Sequence, residues 1–421
     1  MHILFFSHYF WPEGNAPANR TYENCKQWVK SGHKVTVITC SPNVPNGVVY
    51  DGYKNRLFQR QSVDGIDVIR IWTYIAANKG TIKRIFNYLS YLTIAFFVSL
   101  FLKKPDCIIA TSPQFFCGWA GLLASRFKNV PFILEIRDLW PDSIVAVGAM
   151  KNKRLLRILE WLEIKMYKAA FHIVTVGDGY KLKLIEKNVR PQKISVIPNG
   201  IDPDIFCPMA ADRTIIEKYN LQNKFVCSYI GTIGMACGLE IVVEAADKLK
   251  QKGQHNIVIL LVGDGASKKQ LETLAKEKNL DNIVFTGRQD KEFILALLST
   301  SDVCLVHLKK TGLFETVIPS KIFEAASMAK PIILGVGGFA AELVKKAGAG
   351  ICIEPENPHQ LVEALEKLAT DHQLAVRLGQ GGKDYVRKFH NRSILAQNYL
   401  EIVRSVCPVE PKTGAIVLDG K

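Results

Sequence analysis

Short runs of consecutive apolar, mostly β-branched residues recur along the chain. In the first half they fall at 3–7, 34–39, 66–72, 106–111, 131–136, 172–176 and 193–197. In the second half they fall at 225–230, 256–262, 282–287, 302–308, 331–336 and 350–354. Runs of this length read as strands buried on both faces. Between most of them apolar positions repeat three and four apart, as at 17–31, 114–127 and 153–169, which reads as helix. Alternating strand and helix predicts an α/β protein with parallel sheets covered on both sides. The stretch PNGIDPDIFCP at 198–208 has neither period and holds three prolines, so it divides two doubly wound domains, 1–197 and 198–388. Residues 357–371, 373–388 and 392–406 read as closing helices. The last segment, 389–407, is expected to pack back on the first domain, and the tail 408–421 to fray.

With 48 % apolar and 22 % charged residues in 421, disordered, collagen-like and low-complexity classes are excluded. Ten cysteines are scattered with no C-x-x-C pair and no histidine at metal-ligand spacing. That is the pattern of reduced thiols in a cytoplasmic protein. The opening MHILFFS lacks the basic head and the length of a secretory signal. Charge alters the picture more. The net charge is +15, and residues 1–199 carry 27 Lys and Arg against 13 Asp and Glu, while the rest is nearly balanced. A basic half implies an anionic partner, nucleic acid or an acidic membrane surface. No nucleic-acid recognition motif appears, and the lysines are not interleaved with aromatic residues on repeats, so a nucleic-acid-binding protein is the remote reading.

The stretch IFNYLSYLTIAFFVSLFL at 85–102 is 18 residues without a charge, bracketed by Lys83-Arg84 and Lys103-Lys104. As a helix it reaches about 27 Å, short of a hydrocarbon core, and a span there would split the first sheet. A buried core helix is the alternative. The basic brackets favour a helix lying in a membrane interface, with Phe86, Tyr88, Tyr91, Phe96, Phe97 and Phe101 at that depth and residues 83–104 meeting anionic lipid.

Ligands of doubly wound sheets bind at the carboxyl ends of strands, which directs attention to three loops. HYFWPEGNAP (8–17) follows the first strand, and Gly14 there lets backbone N–H groups approach a phosphate at a helix N-terminus. EIRDLWPDS (135–143) brings Glu135, Arg137, Asp138 and Asp142 to the end of an apolar strand, where ionisable groups are costly unless they pair or serve a site. In IPSKIFEAASMAKPII (318–333), Pro319 and Ser320 open a helix, and Lys321 and Glu324 share one face of its first turn. A lysine at that end opposes the helix dipole, and an anion between it and the backbone N–H groups accounts for it. A carboxylate at Glu324 only accepts hydrogen bonds, which suits sugar hydroxyls. Together these point to a sugar-bearing nucleoside diphosphate.

The first-strand loop, EIRDLWPDS, IPNGID and PSKIFEAASMAKP together resemble the retaining glycosyltransferases of family four, which have the GT-B fold: two Rossmann-like domains facing across a cleft. RDLWPDS preceded by ATSPQFF (110–116) is similar to the branch that builds bacterial O-antigen and capsule, including colanic-acid-type and N-acetylfucosamine transferases. The resemblance covers about residues 1 to 405. It implies donor contacts at Gly14 and Asn15, Asn199 of IPNGID, Thr232, Gly263 of VGDGA, Arg288 near the nucleobase, and Pro319, Ser320 and Glu324, the last holding the ribose. The family's preceding glutamate falls on Thr316, with Glu315 one place off. GTIGMACG (231–238) lacks the arginine and lysine that many relatives use for phosphate, which shifts that task to Lys321.

The expected activity is transfer of a sugar, an N-acetylated hexosamine or deoxyhexosamine, from a UDP-sugar to a polyprenyl-diphosphate-linked glycan. The resemblance implies retention at the anomeric carbon with no metal and no cofactor beyond the donor. Catalytic candidates are Lys321 on the leaving diphosphate, Asp138 as base or positioner of the acceptor hydroxyl, and Arg137 as a phosphate contact. The expected location is the cytoplasm, peripherally on the inner face of the cell membrane. A nucleotide-sugar 2-epimerase of the same architecture is the alternative; it would convert the donor with no acceptor present.

Overall fold

The computed structural model describes residues 1–407 apart from 45, 77–80, 113 and 147–151, and for 81, 82, 146 and 291 it describes the backbone alone. The tail 408–421 lies outside the described residues. The first half begins β1 (His2–Phe6), α1 (Ala16–Lys30), β2 (Lys34–Cys40), β3 (Phe58–Val63), β4 (Ile66–Ile71), α2 (Thr81–Leu100) and β5 (Cys107–Thr111). It continues with α3 (Phe115–Lys128), β6 (Phe132–Ile136), α4 (Asp142–Ala146), α5 (Lys153–Ala169), β7 (His172–Thr175), α6 (Asp178–Glu186) and β8 (Ile194–Val196). Its eight strands form one sheet in the order β3-β4-β2-β1-β5-β6-β7-β8.

The second half begins α7 (Arg213–Lys218), β9 (Phe225–Ile230), α8 (Glu240–Gln251), β10 (Ile257–Val262), α9 (Lys268–Glu277), β11 (Ile283–Gly287) and α10 (Lys291–Thr300). There follow β12 (Val303–His307), α11 (Lys321–Ser327), β13 (Ile332–Gly335), α12 (Gly338–Ala347) and β14 (Gly350–Cys352). These strands form a six-stranded parallel sheet, β11-β10-β9-β12-β13-β14. The helices α13 (Pro358–Thr370), α14 (His372–Phe389) and α15 (Arg392–Val406) close the chain.

The apolar runs are strands because both faces of each sheet are covered: Ile3, Leu4, Phe5 and Phe6 of β1 are all fully buried. The sequence reading missed β3, the one antiparallel strand of the first sheet. It lies at the edge, alternates exposed with half-buried residues, and so lacks an apolar run. Its turn was nonetheless readable: Asp64 and Gly65 both have positive φ, 48° and 78°, the two-residue hairpin loop that Asp-Gly favours.

The chain crosses between the halves twice. Ile201 bridges Asn391 in parallel, and α15 then lies on α1. Trp28 Nε1 donates to the Ala396 carbonyl at 2.9 Å, and the buried Tyr399 ring meets Trp28 edge-on at 5.2 Å. One face of the first sheet is thus covered by α1 and α15, the other by α2, α3 and α5.

The placement of α2 corrects the interfacial assignment in part. Tyr88, Tyr91, Ala95 and Ser99, spaced three and four apart, are buried, and Tyr91 donates its hydroxyl to the Ile38 carbonyl at 2.8 Å. Phe96 packs against the same core. Only Phe86, Phe97 and Phe101 of the six aromatic residues are exposed, Phe101 at 89 %. Among the described residues no helix is long and apolar enough to cross a membrane.

Candidate active site

The loop after β1 is pinned before it reaches α1. Glu13, 2 % exposed, accepts from the backbone N–H groups of Asn43 at 2.9 Å and Val44 at 3.2 Å. Burial holds its carboxyl above the ordinary range. Asn15 caps α1, its Oδ1 accepting from Ala18 N at 2.9 Å, so this side chain is committed to the helix. No atom crowds the Cβ position of Gly14, so the backbone there is accessible beside the positive end of the α1 dipole, although Ala18 N is capped by Asn15, Asn19 N bonds the Asn15 carbonyl at 3.0 Å and Pro17 has no N–H.

Arg137 and Asp138, neighbours in sequence, part company. The Arg137 guanidinium turns toward α1, where Nη2 donates to the Ala16 carbonyl at 3.0 Å, while buried Nε and Nη1 have no partner among the described residues. Burial pulls it down to about 9, opposed by Glu135 and helped by the like charges of Arg20 and Arg392. A cation with unused donors beside a helix N-terminus has the chemistry to meet an anion. Asp138 goes the other way: Ser143 Oγ donates to it at 3.0 Å, and it borders an enclosed cavity of about 10 Å³ beside Phe115, Trp140, Met166 and Tyr167. Burial raises its pKa. This carboxyl anchors the loop that begins α4, which corrects its expected place in the cleft. Asp138→Asn keeps an acceptor oxygen for Ser143 and is expected to change transfer little. A loss of roughly 10²–10⁴, the range for removing a general base, would restore the base role, and a comparison of initial rates decides it.

The second sheet supplies the other half. Gly231 follows β9 with φ 141°, and a Cβ on Gly263 would lie 1.9 Å from the Gly231 carbonyl oxygen. The loops after β9 and β10 therefore touch backbone to backbone, which only glycine permits. Lys321 folds back from the start of α11 over this junction, its Nζ 3.6 Å from the Tyr229 ring centroid. Tyr229 is fixed in turn by donating to the Thr232 carbonyl at 2.7 Å. Burial pulls the Lys321 ammonium down to about 8, with Cys237 and Glu324 opposing. Ser320 makes no side-chain cap bond. Across the cleft a Cβ on Gly179 would strike Thr316 at 2.6 Å, and Gly177 faces Ile318, so the carboxyl end of β7 meets the segment leading into α11.

Residues 15–200 match the "Glycosyl transferase 4-like domain" profile and residues 212–385 the "Glycosyl transferases group 1" profile. The chain is a group 1 glycosyltransferase. It is 28 % identical over 386 residues to the putative colanic acid biosynthesis glycosyl transferase WcaI of Escherichia coli K12, covering 87 % of this chain and 92 % of that one. It is 26 % identical over 282 residues to an Escherichia coli UDP-Gal:alpha-D-GlcNAc-diphosphoundecaprenol alpha-1,3-galactosyltransferase, covering 65 % and 70 %. The crystal structure of Anabaena HepE in complex with UDP and glucose superposes with a TM-score of 0.72 at 15 % identity, over 96 % of this chain and 99 % of that one. The fold is GT-B.

The other expected contacts of this glycosyltransferase fall into two groups. Arg288 is exposed at the end of β11 and reaches Tyr50 Oη at 3.1 Å, a link from one domain to the other. Thr232 is exposed beside Lys321's junction. Asn199 belongs to the interdomain crossing, its Oδ1 accepting from Arg20 at 3.4 Å and its carbonyl meeting His390 Nδ1 at 3.0 Å. Thr316 hydrogen-bonds back to the Leu313 carbonyl, whereas Glu315 is exposed and lies against Gly337.

Two residues escaped the sequence reading. Buried His307, at the end of β12, bonds the Cys237 carbonyl through Nδ1 at 2.7 Å and accepts from Glu356 N at Nε2, 2.9 Å. It is held neutral by burial and ties down the loop under Lys321. Buried Arg20 binds Glu135 and the linker carbonyls. The only signal either carried was a polar residue at a buried position, Arg20 on the inner stripe of α1 and His307 at the end of an apolar strand. An Asp-x-Asp spacing occurs at Asp202 and Asp204, but there Asp202 accepts from Asp204 N in a linker turn. Among the described residues no group of three or more His, Cys, Asp or Glu is placed to hold a metal.

Proposed function

We propose that this glycosyltransferase moves a sugar, an N-acetylated hexosamine or deoxyhexosamine, from a UDP-sugar to a polyprenyl-diphosphate-linked glycan. Its setting is assembly of a bacterial surface polysaccharide such as O-antigen, colanic acid or capsule, at the inner face of the cell membrane, with residues 83–104 toward the bilayer. The observation that carries the reading is a pair of cations at carboxyl ends of strands: Arg137 beside the α1 N-terminus, its buried Nε and Nη1 unpartnered among the described residues, and Lys321 over the β9 junction. A diphosphate is the ligand that such a pair suits. The names of the two relatives, one of colanic acid biosynthesis and one acting from UDP-Gal onto a diphosphoundecaprenol glycan, support donor and acceptor class.

In the reaction the bond from the anomeric carbon to the diphosphate breaks through an oxocarbenium-like state, and negative charge grows on the departing oxygen. Lys321, Arg137 and the α1 dipole are fixed before that charge develops, so they stabilise it without reorganisation. The acceptor hydroxyl attacks from the face the leaving group vacates, and the leaving phosphate oxygen takes its proton, which retains the anomeric configuration without a base or a metal. Incubation with UDP-, GDP- and TDP-sugars and a polyprenyl-diphosphate glycan, read by mass shift, tests this reading. Transfer from UDP-sugar with the donor's anomeric configuration, unaffected by chelator, is expected. Conversion of the donor to its C2 epimer without acceptor would overturn it.

A further inference from the structure

We infer that the outer surface of the whole α2–α3–α5 layer, and not α2 alone, is a docking face for an anionic lipid bilayer. The inference rests on the reading that residues 83–104 meet a membrane. The three helices are one packed unit: Phe96 of α2 meets Phe127 of α3 edge-on at 6.5 Å, and Gly118 of α3 lies so close to Met166 of α5 that a Cβ there would reach its sulfur at 2.6 Å. The opposite face of the sheet is already covered by α15. On the open side each helix presents large apolar groups to solvent: Phe97 from α2 with Phe101 just past its end, Phe127 from α3, Ile158 and Trp161 from α5.

Charge decides the occupant. α2 and α3 contain no Asp or Glu. α5 contains two, of which Glu163 is buried and bonded to Tyr167 and Lys187, leaving Glu160 as the one exposed carboxylate on the three helices. Against it stand Arg126 on α3 and Arg154, Arg157, Lys165 and Lys168 on α5, all exposed. Lys165 lies over the exposed Trp161 ring, Nζ 3.7 Å from its centroid, with the apolar body and cationic tip that an interface takes at one depth. A protein partner of ordinary composition would leave these cations unpaired, whereas a sheet of lipid phosphates pairs them all while exposed rings enter the acyl boundary. Docked on this layer, the first sheet lies parallel to the bilayer and the cleft opens edgewise above the headgroups, within reach of a lipid-borne diphosphate.

Co-sedimentation with vesicles of phosphatidylglycerol or phosphatidylcholine tests the inference. The wild type is expected to partition onto phosphatidylglycerol, and less so at high salt. Arg154→Glu/Arg157→Glu/Lys165→Glu is expected to lower that partition by roughly 10²-fold or more, each cation at an anionic surface contributing about fivefold. Phe97→Ser/Phe101→Ser lowers it as well but leaves the residual binding salt-sensitive. Unchanged melting temperatures and unchanged transfer to a soluble acceptor analogue show that both variants fold. If the α5 variant binds like the wild type, docking is confined to α2 and the three-helix face is wrong. If the wild type ignores phosphatidylglycerol, or instead self-associates through this face, the reading of residues 83–104 fails with it.

Discussion

Replacing Lys321 by methionine is expected to make the protein more stable and nearly inactive. The ammonium is mostly buried over Tyr229, and burial, outweighing Cys237 and Glu324, lowers it from 10.5 to about 8. That displacement corresponds to a stability cost on the order of 3 kcal/mol. The sign follows from proton counting. Below pH 8 both folded and unfolded chains hold the proton, and the cost is present in full. Between about 8 and 10.5 the fold has lost a proton that the unfolded chain keeps, so stability rises with pH across that window. Methionine fills much the same volume without the charge, so the variant should melt several degrees higher at pH 7 and lack this rise. Turnover should move the other way, by roughly 10²–10³, the scale of losing one preorganised stabiliser of a developing anion. In the wild type kcat/KM should fall as pH passes about 8, because it reports the free enzyme's ionisations. A methionine variant with ordinary turnover would remove Lys321 from the leaving-group site.

That trade between stability and turnover was half visible in the sequence. The strands were legible because, β3 apart, both sheets are parallel and covered by helices, which makes thirteen of the fourteen strands continuous apolar runs; β3 was not, because its residues alternate exposed with half-buried along an antiparallel edge. An apolar run without polar interruptions cannot show which side of a helix is inside, so Tyr88 and Tyr91 read the same as Phe97 although only the last faces solvent. Arg137 and Asp138 show a rule left unused. Successive side chains of a strand point to opposite faces, and one residue past β6 the alternation persists: Glu135 and Arg137 face α1, while Leu134, Ile136 and Asp138 face α3 and α5. Two adjacent residues at a strand end therefore seldom line one cleft. Lys321 was found because a cation at a helix N-terminus contradicts local electrostatics, whereas Arg20 contradicted nothing until its partner, 115 residues away, was known.

Arg20→Met is expected to destabilise the first domain by about 3–5 kcal/mol, the usual cost of stranding one member of a buried ion pair. Arg20 Nε bonds Glu135 at 2.8 Å, Nη2 bonds the Ile197 carbonyl and Nη1 that of Pro198, both at 2.8 Å. It thus ties the end of β6 to the strand of chain that crosses between domains. Burial by itself would raise the fully buried Glu135 carboxyl, but Arg20 first and Arg137 second outweigh it and hold the group below its ordinary 4.5. In the wild type this contribution is complete above pH 4.5 and is lost as pH falls through the folded value. Without Arg20 the burial effect prevails and the folded carboxyl moves above 4.5. The variant then loses stability as pH rises through that range, since its unfolded chain ionises first. The stability gap between wild type and variant should therefore be widest at pH 7 and narrow toward pH 4, and adding Glu135→Gln should recover part of it at pH 7. Urea unfolding at the two pH values measures both effects. A gap of equal size at pH 4 and pH 7 would mean that Arg20 acts through its bonds to the linker carbonyls alone, and that the charge on Glu135 has no part in holding the two domains at the cleft.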